Sequence, residues 1–153
     1  MQRTIASDDL RYVIFSEIYL KYGEPKTQRR AFAVLESAIS CFQKKDFGAV
    51  TFKMIARESG MAPPSLRHYF TNLSAIEEFT IKYVHVTAQR MVVGSLLRSH
   101  QPLEMLKLYL EAHLYWATHF RSHLNVWLNF ILYSSRLKKH LALNTQAVLN
   151  GAE

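Results

Sequence analysis

Cysteine is almost missing from this chain: Cys41 stands alone among 153 residues. A single thiol excludes an intrachain disulfide, and a reducing compartment is the simpler expectation. Its setting, between Ile39-Ser40 and Phe42, reads as core packing and not as a reactive thiol. Five glycines and four prolines leave few places where a helix must break, so the composition leans all-α. No apolar run approaches the roughly 20 residues of a membrane-spanning helix. The N-terminus carries Asp8 and Asp9 and no small-residue cleavage site, so no secretory signal is expected and the location is read as cytoplasmic. Internal repeats and low-complexity segments are missing too. So are the HEXXH zinc pattern, a Gly-rich phosphate loop and a G-x-S-x-G elbow, which leaves nothing to support catalysis or a cofactor.

Histidine is plentiful, with seven residues. His119 and His123 are four apart, the spacing that sets two ligands on one helix face, but no Asp, Glu or Cys nearby offers a third. His113, six residues before His119, falls on a different face, and no metal is expected. Charge is unevenly spread. Residues 1–25 carry three Lys/Arg against four Asp/Glu, residues 26–73 eight against three, and residues 74–153 eight against five. The net +7 is therefore densest in the middle segment, where a phosphate-binding surface would need it.

That segment contains TFKMIARESGMAPPSLRHYF, residues 51–70. Before Gly60, Phe52, Ile55, Ala56 and Ser59 fall at helical spacing. After it, Leu66, Tyr69 and Phe70 repeat the pattern, and Pro63-Pro64 mark a helix start, where a missing N–H costs nothing. Gly60 can adopt the positive φ that ends the first helix. Two short helices around a glycine turn make a helix-turn-helix, with Ser65, Arg67 and His68 turned away from the core. Thr51 caps the first helix through its hydroxyl. The preceding helix, 27–45, presents Phe32, Leu35, Ile39 and Phe42 as one stripe, flanked by Val34, Ala38 and Cys41, which would complete a three-helix core. Lys26, Arg29 and Arg30 at its start could reach phosphates or stay solvated.

Thr51, Ile55-Ala56, Gly60, Leu66 and Tyr69-Phe70, with Arg30, Ala38, Phe42 and Phe47 before them and Ile76 after, resemble the signature of the TetR family of bacterial transcriptional regulators. The likeness covers about a third of the chain in detail. It implies an all-α fold: an N-terminal three-helix helix-turn-helix domain, then an antiparallel helical effector and dimerisation region. The divisions are 1–27, an N-terminal extension; 28–73, the DNA-binding domain; and 74–153, the effector and dimerisation region. The implied partners are a double-stranded DNA operator, a second copy of the chain and a small-molecule effector. Thr51, Lys53, Pro63, Ser65, Arg67, His68 and Tyr69 are the DNA-binding candidates.

Outside the motif, a helix from about Ser7 to Lys21 is expected, with Asp8 and Asp9 favouring its N-terminus. Either an extra packed helix or a minor-groove arm would suit this segment. After the motif, Asn72 or Ser74 (the latter with Glu77 as a capping box) starts a helix running to about Leu97. Residues 103–120 put Leu103, Leu106, Leu110, Leu114, Ala117 and Phe120 on one side, and after a break at Arg121-Ser122 an aromatic helix follows from Val126 to Tyr133. His113, Trp116, Phe120, Trp127 and Phe130 are the candidates for an effector pocket, with Asn125 and Asn129 as further polar groups; a plain core is the competing reading.

Three features depart from the family pattern. Leu73 stands where a lysine commonly follows the Tyr-Phe pair, Pro63 and Pro64 remove two amide donors, and Ala62 replaces a hydroxyl cap. Only a stub beginning near Leu137 remains where the family continues through two further helices, so the last region reads as truncated. Two functions remain in view: an effector-responsive repressor, or a degenerate helix-turn-helix that serves as a protein-interaction module.

Overall fold

The computed structural model describes residues 25–135; the expected helix at Ser7–Lys21 and the tail from Lys138 lie outside the described residues. Within them are six α-helices and no strand: α1 (Pro25–Lys44), α2 (Phe52–Glu58), α3 (Pro63–Tyr69), α4 (Leu73–Leu96), α5 (Pro102–His119) and α6 (Arg121–Ser134), with a 3-10 turn at Phe47–Ala49. The all-α expectation holds.

α1 buries Ala31, Val34, Leu35, Ala38, Ile39, Cys41 and Phe42, the stripe that its 3.6-residue period dictates. It packs against α2, α4 and α6. Burial pushes the Cys41 thiol above its ordinary pKa, as fits a packing residue. α1 stops at Lys44, and the 3-10 turn drops Phe47 into the core. There its ring stacks on Phe42, with centroids 4.1 Å apart, and meets Phe130 of α6 at 5.6 Å. One phenylalanine outside any α-helix thus joins α1 to α6.

Asn72, not Ser74, caps α4, its side chain accepting the Ala75 N–H at 2.9 Å. Ile76, Thr80, Tyr83 and Val84 form the inner face of α4. α5 runs back along it: Trp116 Nε1 donates to Thr87 Oγ1 at 3.1 Å, while Met91 and Ser95, further along α4, share a groove with Ala112 and Leu108, earlier on α5.

α5 corrects one expectation. Its buried residues are Leu108, Ala112 and Trp116, whereas Leu103, Leu106, Leu110 and Leu114 are 80%, 55%, 53% and 67% exposed. Both sets sit at helical spacing, and Leu108 lies roughly 140° around the helix from Leu103. The helix is apolar on two opposite sides, and periodicity alone could not say which one meets α4. The break after α5 falls at Phe120 (φ −115°, ψ 50°), so α6 begins at Arg121 instead of Val126. His119 and His123 consequently belong to different helices: His119 is exposed and stacks on Tyr115, and His123 is buried.

Candidate nucleic-acid interface

The turn between α2 and α3 is closed by hydrogen bonds at Gly60, whose positive φ brings the next N–H back to α2. Gly60 adopts φ 66°, its N–H reaches Arg57 O at 3.2 Å, and the Met61 N–H reaches Ala56 O at 2.9 Å. This pairing closes the C-terminus of α2 and sends the chain directly into α3. At the other end of α2, Thr51 is extended (φ −121°, ψ 155°) and its Oγ1 accepts the Met54 N–H at 3.3 Å. α3 starts without a side-chain cap at Ala62, and Pro63 and Pro64 hold its first two positions, so its first turn has little to offer an anion.

Leu66 and Phe70 are buried and orient α3. Thr51, Lys53, Pro63, Ser65, Arg67 and His68 are exposed on or around it, while Tyr69 is half-buried and packs on the core. The Tyr69 ring receives that of His68 edge-on at 5.6 Å. Among the described residues neither Lys53 nor Arg67 has an ion-pair partner. The Arg67 guanidinium instead lies over the ring of Phe52, 5.3 Å from its centroid.

The motif's own carboxylate is turned away. Glu58 Oε1 accepts from Ser40 Oγ at 2.6 Å and Lys44 Nζ at 3.0 Å, both on α1. The Ser40 bond first, and Lys44 second, hold the Glu58 carboxyl below its usual range. An acid that could repel a phosphate is occupied with a neighbouring helix. Leu73, first in α4, is half-buried against the core, so a lysine there would have to swing outward to meet a phosphate.

The pocket candidates separate. Trp116 and Phe130 are core residues at 6% and 1% exposure. Trp127 is half-buried with its ring 5.4 Å from that of His85, and Phe120 meets His123 edge-on at 5.5 Å. His113 bonds through Nδ1 to its own helix, at Tyr109 O, 2.9 Å away. None of the five lines the groove of about 350 Å³ between α4 and α5, whose walls include Met91, Arg98, Leu108, Glu111 and Tyr115. Asn129 instead borders a separate cleft with Gln43, Lys45 and Asp46, at the end of α1.

Two contacts were beyond sequence reasoning. Phe52 and Arg67 stand fifteen residues apart across the turn, and Ser40 and Glu58 eighteen, so no helical period links either pair. Phe52 is half-buried against the core, as its place on the apolar face of α2 implies. That the same ring also receives the Arg67 guanidinium has no signal in the pattern.

Residues 34–76 match the family model described as bacterial regulatory proteins, tetR family. No curated protein matches the chain. Among solved structures, the fold is similar to that of a TetR family transcription regulator from Marinobacter aquaeolei VT8, with a TM-score of 0.69 at 18% sequence identity. The likeness covers 80% of this chain and 64% of the other, so the present chain spans less than two thirds of that regulator's length.

Proposed function

We propose that this chain, a TetR-type helix-turn-helix set in a TetR-like helical fold, is a sequence-specific DNA-binding transcriptional regulator acting as a homodimer. The observation that carries the reading is the outer surface of α3. There Ser65, Arg67 and His68 stand exposed, as do Lys53 of α2 and its capping Thr51, with the nearby Glu58 carboxylate bonded to α1. One helix-turn-helix covers a half-site, so two copies would place their α3 helices in successive major grooves of a pseudo-palindromic operator. Thr51 and Lys53 would hold phosphates, and Arg67, whose donors can form a bidentate fork, would read a base edge. Repression follows if the bound dimer blocks transcription. Relief follows if an effector prefers the arrangement of α4–α6 that separates the two α3 helices wrongly for DNA. Such a protein would work in the cytoplasm.

A protein-interaction module that has lost operator binding is the second reading. The uncapped, doubly prolyl start of α3 and the half-buried Leu73 favour it, because both remove anion contacts. Selection from a mixed pool of short duplexes at two salt concentrations separates them. The regulator enriches one sequence family at both and binds more weakly at the higher salt. An absence of enrichment at either salt sinks the regulator and leaves the interaction module.

A further inference from the structure

We infer that Phe52 is a specificity-determining positioning residue, whose ring holds the Arg67 guanidinium ready for a base edge; the inference rests on the DNA-binding reading above. Phe52 is the first residue of α2 and is half-buried against the core. Arg67 lies in the last turn of α3 and is exposed, with its charge over the Phe52 ring at 5.3 Å and no carboxylate partner among the described residues. A cation within about 6 Å of a ring centroid is attracted by the negative face of the π-system. That attraction uses the ring and leaves the guanidinium N–H donors unspent, whereas a carboxylate partner would have consumed the same fork.

The arrangement also reduces what binding must freeze. A free arginine on a seven-residue helix samples many rotamers, and ordering one of them costs entropy. The Phe52 ring narrows the choice before DNA arrives. Its anchor is firm, because α2 is fixed by buried Ile55 and Ala56 and by the Gly60 turn that leads to α3. Ring and guanidinium thus approach from the two helices of the motif, so the contact also senses their relative placement.

The test uses the full chain and one duplex enriched from the pool, with a scrambled duplex of equal length at the same salt. The ratio of the two dissociation constants is the readout. Phe52→Leu should lower that ratio about two- to fivefold, the weight of an exposed cation–π contact. Phe52→Tyr, which keeps the ring, should retain it. In an Arg67→Ala background, Phe52→Leu should do nothing further to the ratio, since its effect passes through Arg67. Phe52→Met provides a second ringless side chain in case leucine packs poorly, and thermal unfolding of each variant reports any loss of fold. An equal effect of Phe52→Leu in both backgrounds would overturn the inference, as would an unchanged ratio in both ringless variants while Arg67→Ala lowers it. A wild-type chain that enriches no duplex would overturn the DNA-binding reading itself, and this inference with it.

Discussion

Tyr83→Phe removes one oxygen from the seam between α1 and α4. Tyr83 is 4% exposed, and its hydroxyl donates to Glu36 Oε1 at 2.5 Å. The ring would remain where it is, packed on Phe32 and His123 with centroids 5.9 Å from each. The loss is therefore that of a charge-assisted hydrogen bond with little cavity. Such bonds contribute roughly 1.5–3 kcal/mol net when the partner is left stranded. Here Glu36 is exposed, and water can take the place of the phenol. The expected cost therefore falls below that range, at about 1–1.5 kcal/mol. Urea unfolding with linear extrapolation measures it, and for a chain of this size the melting temperature should drop by roughly 2–6 °C. Glu36→Gln keeps an acceptor but removes the charge, and should cost less than Tyr83→Phe. In the double variant the two effects should fall short of their sum, because both remove the same bond. Strict additivity, or a Tyr83→Phe protein within about 0.3 kcal/mol of wild type, would refute the claim that this bond ties the two helices.

Two further outcomes are expected. Burial lowers the pKa of His85 and His123, in the latter case against the opposing pull of Glu36, and neither His85 Nε2 nor His123 Nδ1 has a partner among the described residues. Their unfolded forms therefore take up protons before the folded ones, so stability is complete above the ordinary histidine value near 6.5 and is lost as pH falls through it. His123→Gln should flatten the decline in melting temperature between pH 7 and pH 5, and an unchanged slope would show that His123 does not titrate against folding. Leu110→Lys, on the open side of α5, should alter unfolding free energy by no more than about 0.5 kcal/mol, and a larger loss would mean that this side is covered in solution.

Much of the helix-turn-helix was legible because each of its signals is local. Gly60 ends α2 through a backbone conformation open chiefly to glycine, Thr51 caps it through a side chain three residues from its target, and Pro63-Pro64 mark the start of α3. The stripe of α1 was readable for the same reason, since a polar face opposes it. α5 shows where that reasoning stops. With leucines on two sides, its sequence admits two orientations, and the one adopted buries Leu108, Ala112 and Trp116, with Trp116 bonded to Thr87. The helix break falls at Phe120, before the expected Arg121-Ser122; Phe120, which carries the irregular dihedrals, has no turn chemistry of its own. Periodicity places the aromatic candidates on a face without saying which faces meet: Trp116 and Phe130 lie in the core, and His113 is half-buried.

The packing of α1 couples the helix-turn-helix to the rest of the described residues. α1 supports α2 through the Ser40–Glu58–Lys44 bonds on its outer side. It also meets α4 through Glu36 and Tyr83, and reaches α6 through Phe42, Phe47 and Phe130. The surface that carries Thr51, Lys53 and Arg67 is therefore not an independent bead on the rest of the chain. A rearrangement of α4 or α6 must either drag α1 with it or break one of these contacts. The aromatic contacts resist separation more than they resist tilt, because stacked rings can slide at little cost while a void between them forfeits dispersion and burial together. A rotation that keeps those rings in contact would leave the helix-turn-helix intact and change only the direction in which α3 is presented.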